Sequence, residues 1–243
     1  EAFILLIEDL IASQCTISDG SIGLDPDAAA LALEDLADLH VRFADRAVRE
    51  AHAPWVPAPM ESDYGSVMLQ HGLDKHRDRM TPCFAEHAEL YIAHRPALHA
   101  CWHEGPHTVI HGDTHIGNLF LDGNRTGFLD WGIINVSTPM RDVSYLMLMA
   151  MSIEDRRAHE RDLLRHYLDV QHANGGPDIS FDDAWHSHRL QAAYVVPACC
   201  QIVMFPDNED AARKKFAQAF LGRAEAALED LEVRAALRES LGI

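Results

Sequence analysis

The stretch HGDTHIGNLFLDGNRTGFLDWG, residues 111–132, holds three oxygen-bearing side chains at a spacing that suits one kind of chemistry. Asp113 precedes Asn118 by five residues, and Asp130 follows after two short apolar runs that are joined by Asp-Gly-Asn-Arg. Apolar runs around such a turn sequence predict a β-hairpin. The sequence therefore predicts a loop that carries Asp113 and Asn118, then a hairpin, and then Asp130 just beyond the hairpin.

Phosphoryl transfer requires groups of this type. The protein does little covalent chemistry in that reaction, and catalysis consists mainly of positioning and of neutralising phosphate charge. One carboxylate has to orient the attacking hydroxyl and accept its proton, and Asp113 suits that role. Separate oxygen ligands have to hold Mg²⁺ across the nucleotide phosphates, because this ion prefers carboxylate, amide and water oxygens. Asn118 and Asp130 supply two such oxygens.

Two other metal-site patterns overlap the same region. Residues 103–107 fit the H-E-x-x-H pattern of zinc proteases, which needs both histidines on one continuous helix. Pro106 lies between them, and a proline inside a helix costs about 3 kcal/mol, so we disfavour this interpretation. Asp113 and His115 match the D-x-H start of a metallophosphoesterase, but a two-metal site needs further ligands from successive strand ends. Metallophosphoesterase activity stays the less favoured alternative.

The complete pattern, His-Gly-Asp followed by four residues and Asn, a hairpin and Asp-Trp-Gly, resembles the aminoglycoside phosphotransferase and choline kinase superfamily of small-molecule kinases. The resemblance implies that Asp113 is the catalytic base and that Asn118 and Asp130 bind Mg²⁺ and the nucleotide. It also implies that ATP, or another nucleoside triphosphate, is the phosphate donor. Protein kinases have arginine where this chain has Gly112, and the difference implies a small-molecule hydroxyl substrate.

The resemblance also assigns supporting roles to residues outside this pattern. The first ten residues look like the last strand of an N-terminal lobe and the hinge, where the backbone of Glu8 and Leu10 would meet the adenine edge. His111 and His115 would support the catalytic loop. Asp142 would support that loop from the following helix, although an ordinary acidic residue at a helix N-terminus explains it equally well.

Most of the remaining chain has helical periodicity. Helices are predicted over residues 26–48, about 80–94, 141–151, 152–173 and 180–205 with a kink at Pro197, and a final helix or pair of helices over 208–240. A buried strand is predicted at 3–7 and a second strand at 108–110. The predicted fold class is α+β and predominantly helical, a protein-kinase-like C-terminal lobe with a small β-hairpin. We assign residues 1–10 to the last N-lobe strand and hinge, and 11–243 to the helical C-lobe.

The family has a glycine-rich phosphate loop and a strand lysine before the hinge, and neither feature is found before Glu8. Residues 20–23 contain two glycines but follow the hinge, so they are expected to form a plain loop. We therefore expect the full-length parent protein to be the active kinase and this fragment alone to be a poor enzyme. The alternative is a pseudokinase-like binding module, against which stands the retention of Asp113, Asn118 and Asp130.

Composition limits the range of partners. A formal net charge of −18 argues against nucleic-acid binding, which needs a basic surface. No apolar stretch reaches the roughly 20 residues that span a bilayer, and five scattered cysteines suit the reducing cytoplasm. A group of acidic residues in the C-terminal half would suit an amine-bearing substrate, although solvated helix ends explain them equally well: Asp182, Asp183, Glu209 and Asp210.

Overall fold

Helices make up most of this structure, a computed structural model that describes residues 4, 6–60, 62–123, 125–207 and 209–243. The helices in these ranges are α1 (Pro26–Arg42), α2 (Arg46–His52), α3 (Tyr64–His76), α4 (Pro82–Trp102), α5 (Met140–Ala150), α6 (Ile153–Ala173), α7 (Phe181–Gln191), α8 (Val195–Ala198), α9 (Cys200–Met204), α10 (Ala211–Asp230) and α11 (Val233–Leu241). The strands are β1 (Thr16–Ile17), β2 (Thr108–Ile110), β3 (Leu119–Asp122), β4 (Arg125–Phe128) and β5 (Asn135–Ser137). None of the helices in the described ranges is long and apolar enough to cross a membrane.

The predicted hairpin is present as the antiparallel pair β3 and β4. Leu119 lies opposite Phe128, and β1 joins the outer edge of β3 with Ile17 opposite Phe120. A second antiparallel pair, β2 and β5, sets Val109 opposite Val136. Residues 111–118 form the loop between β2 and β3, so a strand anchors the loop at each end.

Helix α5 lies at the centre of the fold. Each of its residues is buried, including the charged ones, as is typical of a helix enclosed on all sides. Leu146 and Met147 pack into an apolar cluster with α1, α6 and the hairpin. Leu148 and Met149 pack into a second cluster with α3, α4 and α10. Since α5 is held on both faces, a side chain in its first turn has a fixed position.

The single helix predicted over 26–48 is wrong, because the structure divides it in two. Helix α1 ends at Arg42, and α2 begins at Arg46. The Asp45 side chain accepts a hydrogen bond of 2.7 Å from the backbone N–H of Ala47. An N-terminal cap of this kind starts a new helix, and the apolar periodicity alone did not reveal it.

Two further helix boundaries differ from the prediction. Helix α4 does not end before Pro96 but continues to Trp102, with non-helical angles at His94 (φ −124°, ψ 19°) that accommodate the proline ring. The helix predicted over 180–205 is divided into α7, α8 and α9 by a 3₁₀ turn and a break at Cys199. Helix α3 was not predicted at all.

The buried strand predicted at 3–7 also fails where it can be compared. Phe3 and Leu5 lie outside the described residues. Ile4, Leu6 and Ile7 are 89%, 90% and 82% exposed and form no strand, since no strand of the described ranges pairs with them.

Candidate active site

The loop of residues 111–118 places Asn118 directly against Asp113. The Nδ2 atom of Asn118 donates to the backbone oxygen of Asp113 at 2.9 Å and to its Oδ2 atom at 3.0 Å. One carboxylate oxygen is thus fixed by an amide five residues along the chain. The two residues that the sequence singled out are therefore in contact, and the Asp113 side chain has a defined orientation.

His115 approaches the same carboxylate oxygen of Asp113. Its Nδ1 atom accepts a 3.0 Å bond from the Gly117 N–H, so a neutral ring carries its proton on Nε2, which lies 3.5 Å from Oδ2 of Asp113. Burial by itself raises the pKa of Asp113. The hydrogen bond and charge of His115, together with the charges of Arg141 and His111, lower the pKa by a larger amount. The net effect is a pKa below its usual range, so Asp113 is ionised at neutral pH.

The ring of His111 connects the loop to the turn that contains Asp130. Its Nδ1 atom accepts from the Asp113 N–H at 3.1 Å, and its Nε2 atom donates to the Leu129 carbonyl at 2.8 Å. The ring centroid also lies 4.4 Å from that of Trp131. Because Leu129 and Trp131 flank Asp130, one imidazole fixes the two acidic segments relative to each other.

Asp142, in the first turn of α5, binds the backbone of the loop. Its Oδ2 atom accepts from the His111 N–H at 2.7 Å, and its Oδ1 atom accepts from the Gly112 N–H at 2.8 Å. The carboxylate is fully buried, and His40 Nε2 lies 3.4 Å away. Burial raises the pKa of Asp142, but the bond and charge of His40 and the Gly112 N–H outweigh it, so the pKa is lowered.

Gly112 has a backbone conformation that an L side chain rarely adopts. Its φ is +87°, and a Cβ atom added there would lie 2.7 Å from the Ile133 carbonyl oxygen. We expect Gly112→Ala to lower the free energy of unfolding by about 2 kcal/mol or more, measured by urea denaturation. Gly123→Ala is the matched control, because φ is +62° there but no atom lies within 4 Å. Equal losses in the two variants would contradict a steric role for Gly112.

Asp130 and Asn118 each carry a side-chain oxygen of the kind that Mg²⁺ prefers. Asp130 is exposed, has left-handed backbone angles (φ 53°, ψ 65°) and accepts a 3.3 Å bond from the Gly132 N–H. Both side-chain bonds of Asn118 use Nδ2, so its Oδ1 atom is the one available to a metal. Proteins hold Mg²⁺ through one or two such side chains, with phosphates and water completing the octahedron. The residues present therefore fit this ion.

The remaining predicted residues lie apart from this cluster. Glu8 is exposed and bonds Ser13, and the Leu10 carbonyl accepts from the Cys15 N–H at 2.9 Å. The described contacts do not connect either residue to the loop. The contact of the Glu8 and Leu10 backbone with adenine stays a prediction.

The histidines of the zinc pattern do not share a helix face. Helix α4 ends at Trp102, before the first of them. His107 Nε2 bonds the His103 carbonyl at 2.7 Å, which is a contact within a connecting loop. The geometry that a zinc protease requires is therefore absent from these described residues.

Two of the acidic residues considered for an amine-bearing substrate have structural partners. Asp183 accepts a 2.7 Å bond from the Ser180 hydroxyl at the start of α7, and Asp210 accepts a 2.9 Å bond from the Arg213 N–H at the start of α10. Both therefore stabilise helix N-termini.

Sequence reasoning missed a cavity of about 610 Å³ that opens beside Gly112. Its wall includes Arg141, Trp102 and Tyr194, which come from α5, α4 and the turn before α8. The only feature of the local sequence that could have pointed to this cavity is the position of Arg141 directly before Asp142. The aromatic members carried no signal, since they come together only through tertiary packing.

Comparisons with known proteins bear on the family and the fold of this chain. The phosphotransferase enzyme family matches residues 11–185. A choline/ethanolamine kinase family protein from Mesorhizobium loti superposes with a TM-score of 0.55 at 18% identity, over 88% of this chain and 68% of that one. Choline kinase LicA from Streptococcus pneumoniae gives 0.50 at 13% identity, over 87% and 66%. No curated protein gives a significant match.

The chain spans about two thirds of the length of these two structures. Their likeness confirms the fold class, an α+β and predominantly helical lobe of the kinase-like type. The matched range contains Asp113, Asn118, Asp130 and Asp142, whereas Glu8 lies before it. Since that range is more than half of the sequence, the chain belongs to the phosphotransferase enzyme family.

Proposed function

We propose that the protein containing these residues transfers the γ-phosphate of ATP, or of another nucleoside triphosphate, to a hydroxyl group of a small molecule. One observation carries the proposal: the His111 ring bonds both the Asp113 backbone and the Leu129 carbonyl, next to Asp130. A base and a metal ligand held at a fixed separation are what phosphoryl transfer requires.

In this proposal Asp113 orients the substrate hydroxyl and accepts its proton. Its Oδ2 atom is held by Asn118 and His115, so Oδ1 is the oxygen that would face the substrate. The lowered pKa makes the carboxylate a weak base, and orientation is then the larger part of its contribution. A carboxylate that mainly orients the hydroxyl suits a loose transition state, in which the hydroxyl proton leaves late.

Asn118 Oδ1 and the Asp130 carboxylate would hold Mg²⁺. The ion, when bound, supplies positive charge against the nucleotide phosphates. The backbone at Glu8 and Leu10 would contact the adenine edge. We also place the protein in a reducing compartment such as the cytoplasm, which agrees with the free thiols of its cysteines: Cys15, Cys83, Cys101, Cys199 and Cys200.

Mg²⁺-dependent ATP consumption in the presence of a panel of hydroxyl compounds tests the proposal. Asp130→Asn should lower the rate at least about 100-fold and raise the Mg²⁺ concentration that gives half the maximal rate, because a charged metal ligand is lost. Asp122→Asn is the control, since Asp122 is an exposed carboxylate at the tip of the same hairpin. No ATP consumption with any hydroxyl compound, or an unchanged rate in Asp130→Asn, would contradict the proposal.

A further inference from the structure

The cavity beside Gly112 has a chemical character that bears on the substrate. Its wall is mainly apolar and includes Met60, Trp102, Ile133 and Tyr194. A volume of about 610 Å³ suits a small organic molecule. The Gly112 backbone contributes to the wall, so a ligand in the cavity lies next to the loop that carries Asp113.

Arg141 places a buried positive charge in this wall. The residue is 5% exposed, its guanidinium lies over the Tyr194 ring, and within the described residues it donates a hydrogen bond of 3.3 Å to the Gly112 carbonyl. No carboxylate of the described residues lies within ion-pair distance of Arg141. Burying a guanidinium without a direct ion pair is costly. Aromatic stacking and the Asp113 carboxylate, whose pKa Arg141 lowers from beyond ion-pair distance, compensate part of that cost. A ligand anion in the cavity could supply the direct ion pair.

The His103 imidazole in the wall does not add a second positive charge. Burial, with the charges of Arg141, His99 and His107, lowers the pKa of His103 to about 4, so this ring is neutral at pH 7. Its Nδ1 atom bonds the Ser137 hydroxyl at 2.5 Å. His99 Nε2 bonds the Tyr91 hydroxyl at 3.1 Å. Arg141 therefore supplies the permanent charge of the described part of the wall.

Acidic groups that would attract an amine are not part of this wall. None of its described residues is an aspartate or glutamate. Of the four acidic residues considered above, Asp210 caps α10 and Asp183 accepts a bond from the Ser180 cap of α7, both away from this wall. The cavity thus combines apolar surface with one cation, the reverse of what an ammonium ligand requires.

We propose that this cavity is the subsite for an alcohol with an apolar body and a carboxylate, in which the carboxylate pairs with Arg141 and the hydroxyl points past Gly112 to Asp113. A guanidinium offers two parallel N–H donors to a carboxylate, which supplies both affinity and orientation. The assignment of this ligand as a substrate rests on the proposed phosphotransferase function, whereas the binding site itself does not.

Three probes of one shape test the site by calorimetry in the absence of nucleotide. They are para-(hydroxymethyl)benzoate, its neutral amide, and the cationic para-(hydroxymethyl)benzylamine. The benzoate should bind the unchanged protein at least about tenfold more tightly than either of the others. Arg141→Met should abolish that preference. Arg46→Met is the matched control and should leave it unchanged, because Arg46 is exposed on α2 and pairs with Glu50.

The comparison of the three probes on the unchanged protein needs no variant, so a folding defect in Arg141→Met does not block the test. Equal or tighter binding of the amine, or no binding of the benzoate, would overturn the proposal. A preference that persists in folded Arg141→Met would remove the role of Arg141. Loss of MgATP affinity in that variant, with benzoate affinity unchanged, would assign the guanidinium to phosphate and equally overturn it.

The outcomes also separate this site from the proposed function. Phosphate transfer to amine-bearing alcohols but not to the benzoate would refute the subsite and leave the phosphotransferase function standing. Tight benzoate binding without phosphate transfer to any hydroxyl compound would leave the site standing and refute the function.

Discussion

Asp113→Asn is expected to lower the rate of phosphoryl transfer by about 100-fold to 10,000-fold, the usual contribution of a positioned general base. The amide has the shape of the carboxylate but cannot accept the hydroxyl proton, and it removes a negative charge that faces His115. The affinity for MgATP should change little, because Asn118 and Asp130 are retained. The effect therefore belongs in kcat, measured by steady-state and single-turnover kinetics.

This variant should remain folded, since the Asp113 side chain is 29% exposed and contributes to neither apolar cluster. A urea denaturation curve close to that of the unchanged protein is the required control. A kcat near the unchanged value would show that Asp113 is not the base. That result would favour a binding module or a different reaction over the proposed function.

Short-range signals made the hairpin and its loop predictable. The turn that starts with Asp122 and Gly123 marks the hairpin, and β3 and β4 follow within a residue or two of the predicted runs. The helices predicted from Ser152 and Ser180 begin there, because each serine hydroxyl accepts a bond from the N–H three residues later. These features depend on side chains and backbone groups a few residues apart, and such groups are adjacent in the sequence.

Features that depend on distant segments were not predictable in this way. The continuation of α4 past Pro96 requires the bend at His94, and packing of Leu98 and Trp102 in the second apolar cluster stabilises the helix beyond it. The cavity unites Arg141 with aromatic rings from other helices. The sequence does not show which residues of distant helices lie close together. The acidic residues that it suggested as substrate contacts, such as Asp183, lie outside the cavity wall.

Asp142→Asn is expected to lower the free energy of unfolding by about 3 kcal/mol at pH 7, measured by urea denaturation. The buried carboxylate accepts from two backbone N–H groups, of His111 and Gly112, and the amide can accept from only one of them. The NH₂ group of the new amide would then face the other backbone N–H. Two buried donors would point at each other with no acceptor between them. The control is Asp182→Asn, an exposed first-turn position on α7 where we expect at most about 1 kcal/mol.

The loss in Asp142→Asn should also depend on pH. Folding lowers the pKa of Asp142, so its ionised form contributes stability above the unfolded pKa of about 3.9. That contribution is lost as the pH falls through the lower pKa of the folded state. The difference in unfolding free energy between the two proteins should therefore be constant above about pH 5 and shrink below pH 4. A difference that stays the same down to pH 2 would contradict the assignment of a lowered pKa.

Measuring kcat distinguishes whether Asp142 only stabilises the fold or also positions the catalytic loop. Asp142 bonds the N–H groups of the two residues directly before Asp113, so its loss should tilt the loop as well as weaken the fold. At low temperature and without denaturant, where Asp142→Asn is fully folded, kcat should still fall by about tenfold or more, because small displacements of a catalytic group are costly. Gly112→Ala, which disturbs the same peptide from the Ile133 side, should show the same pattern. If both variants lose stability but keep the unchanged kcat, the geometry of this loop does not limit the reaction, and Asp142 serves stability alone.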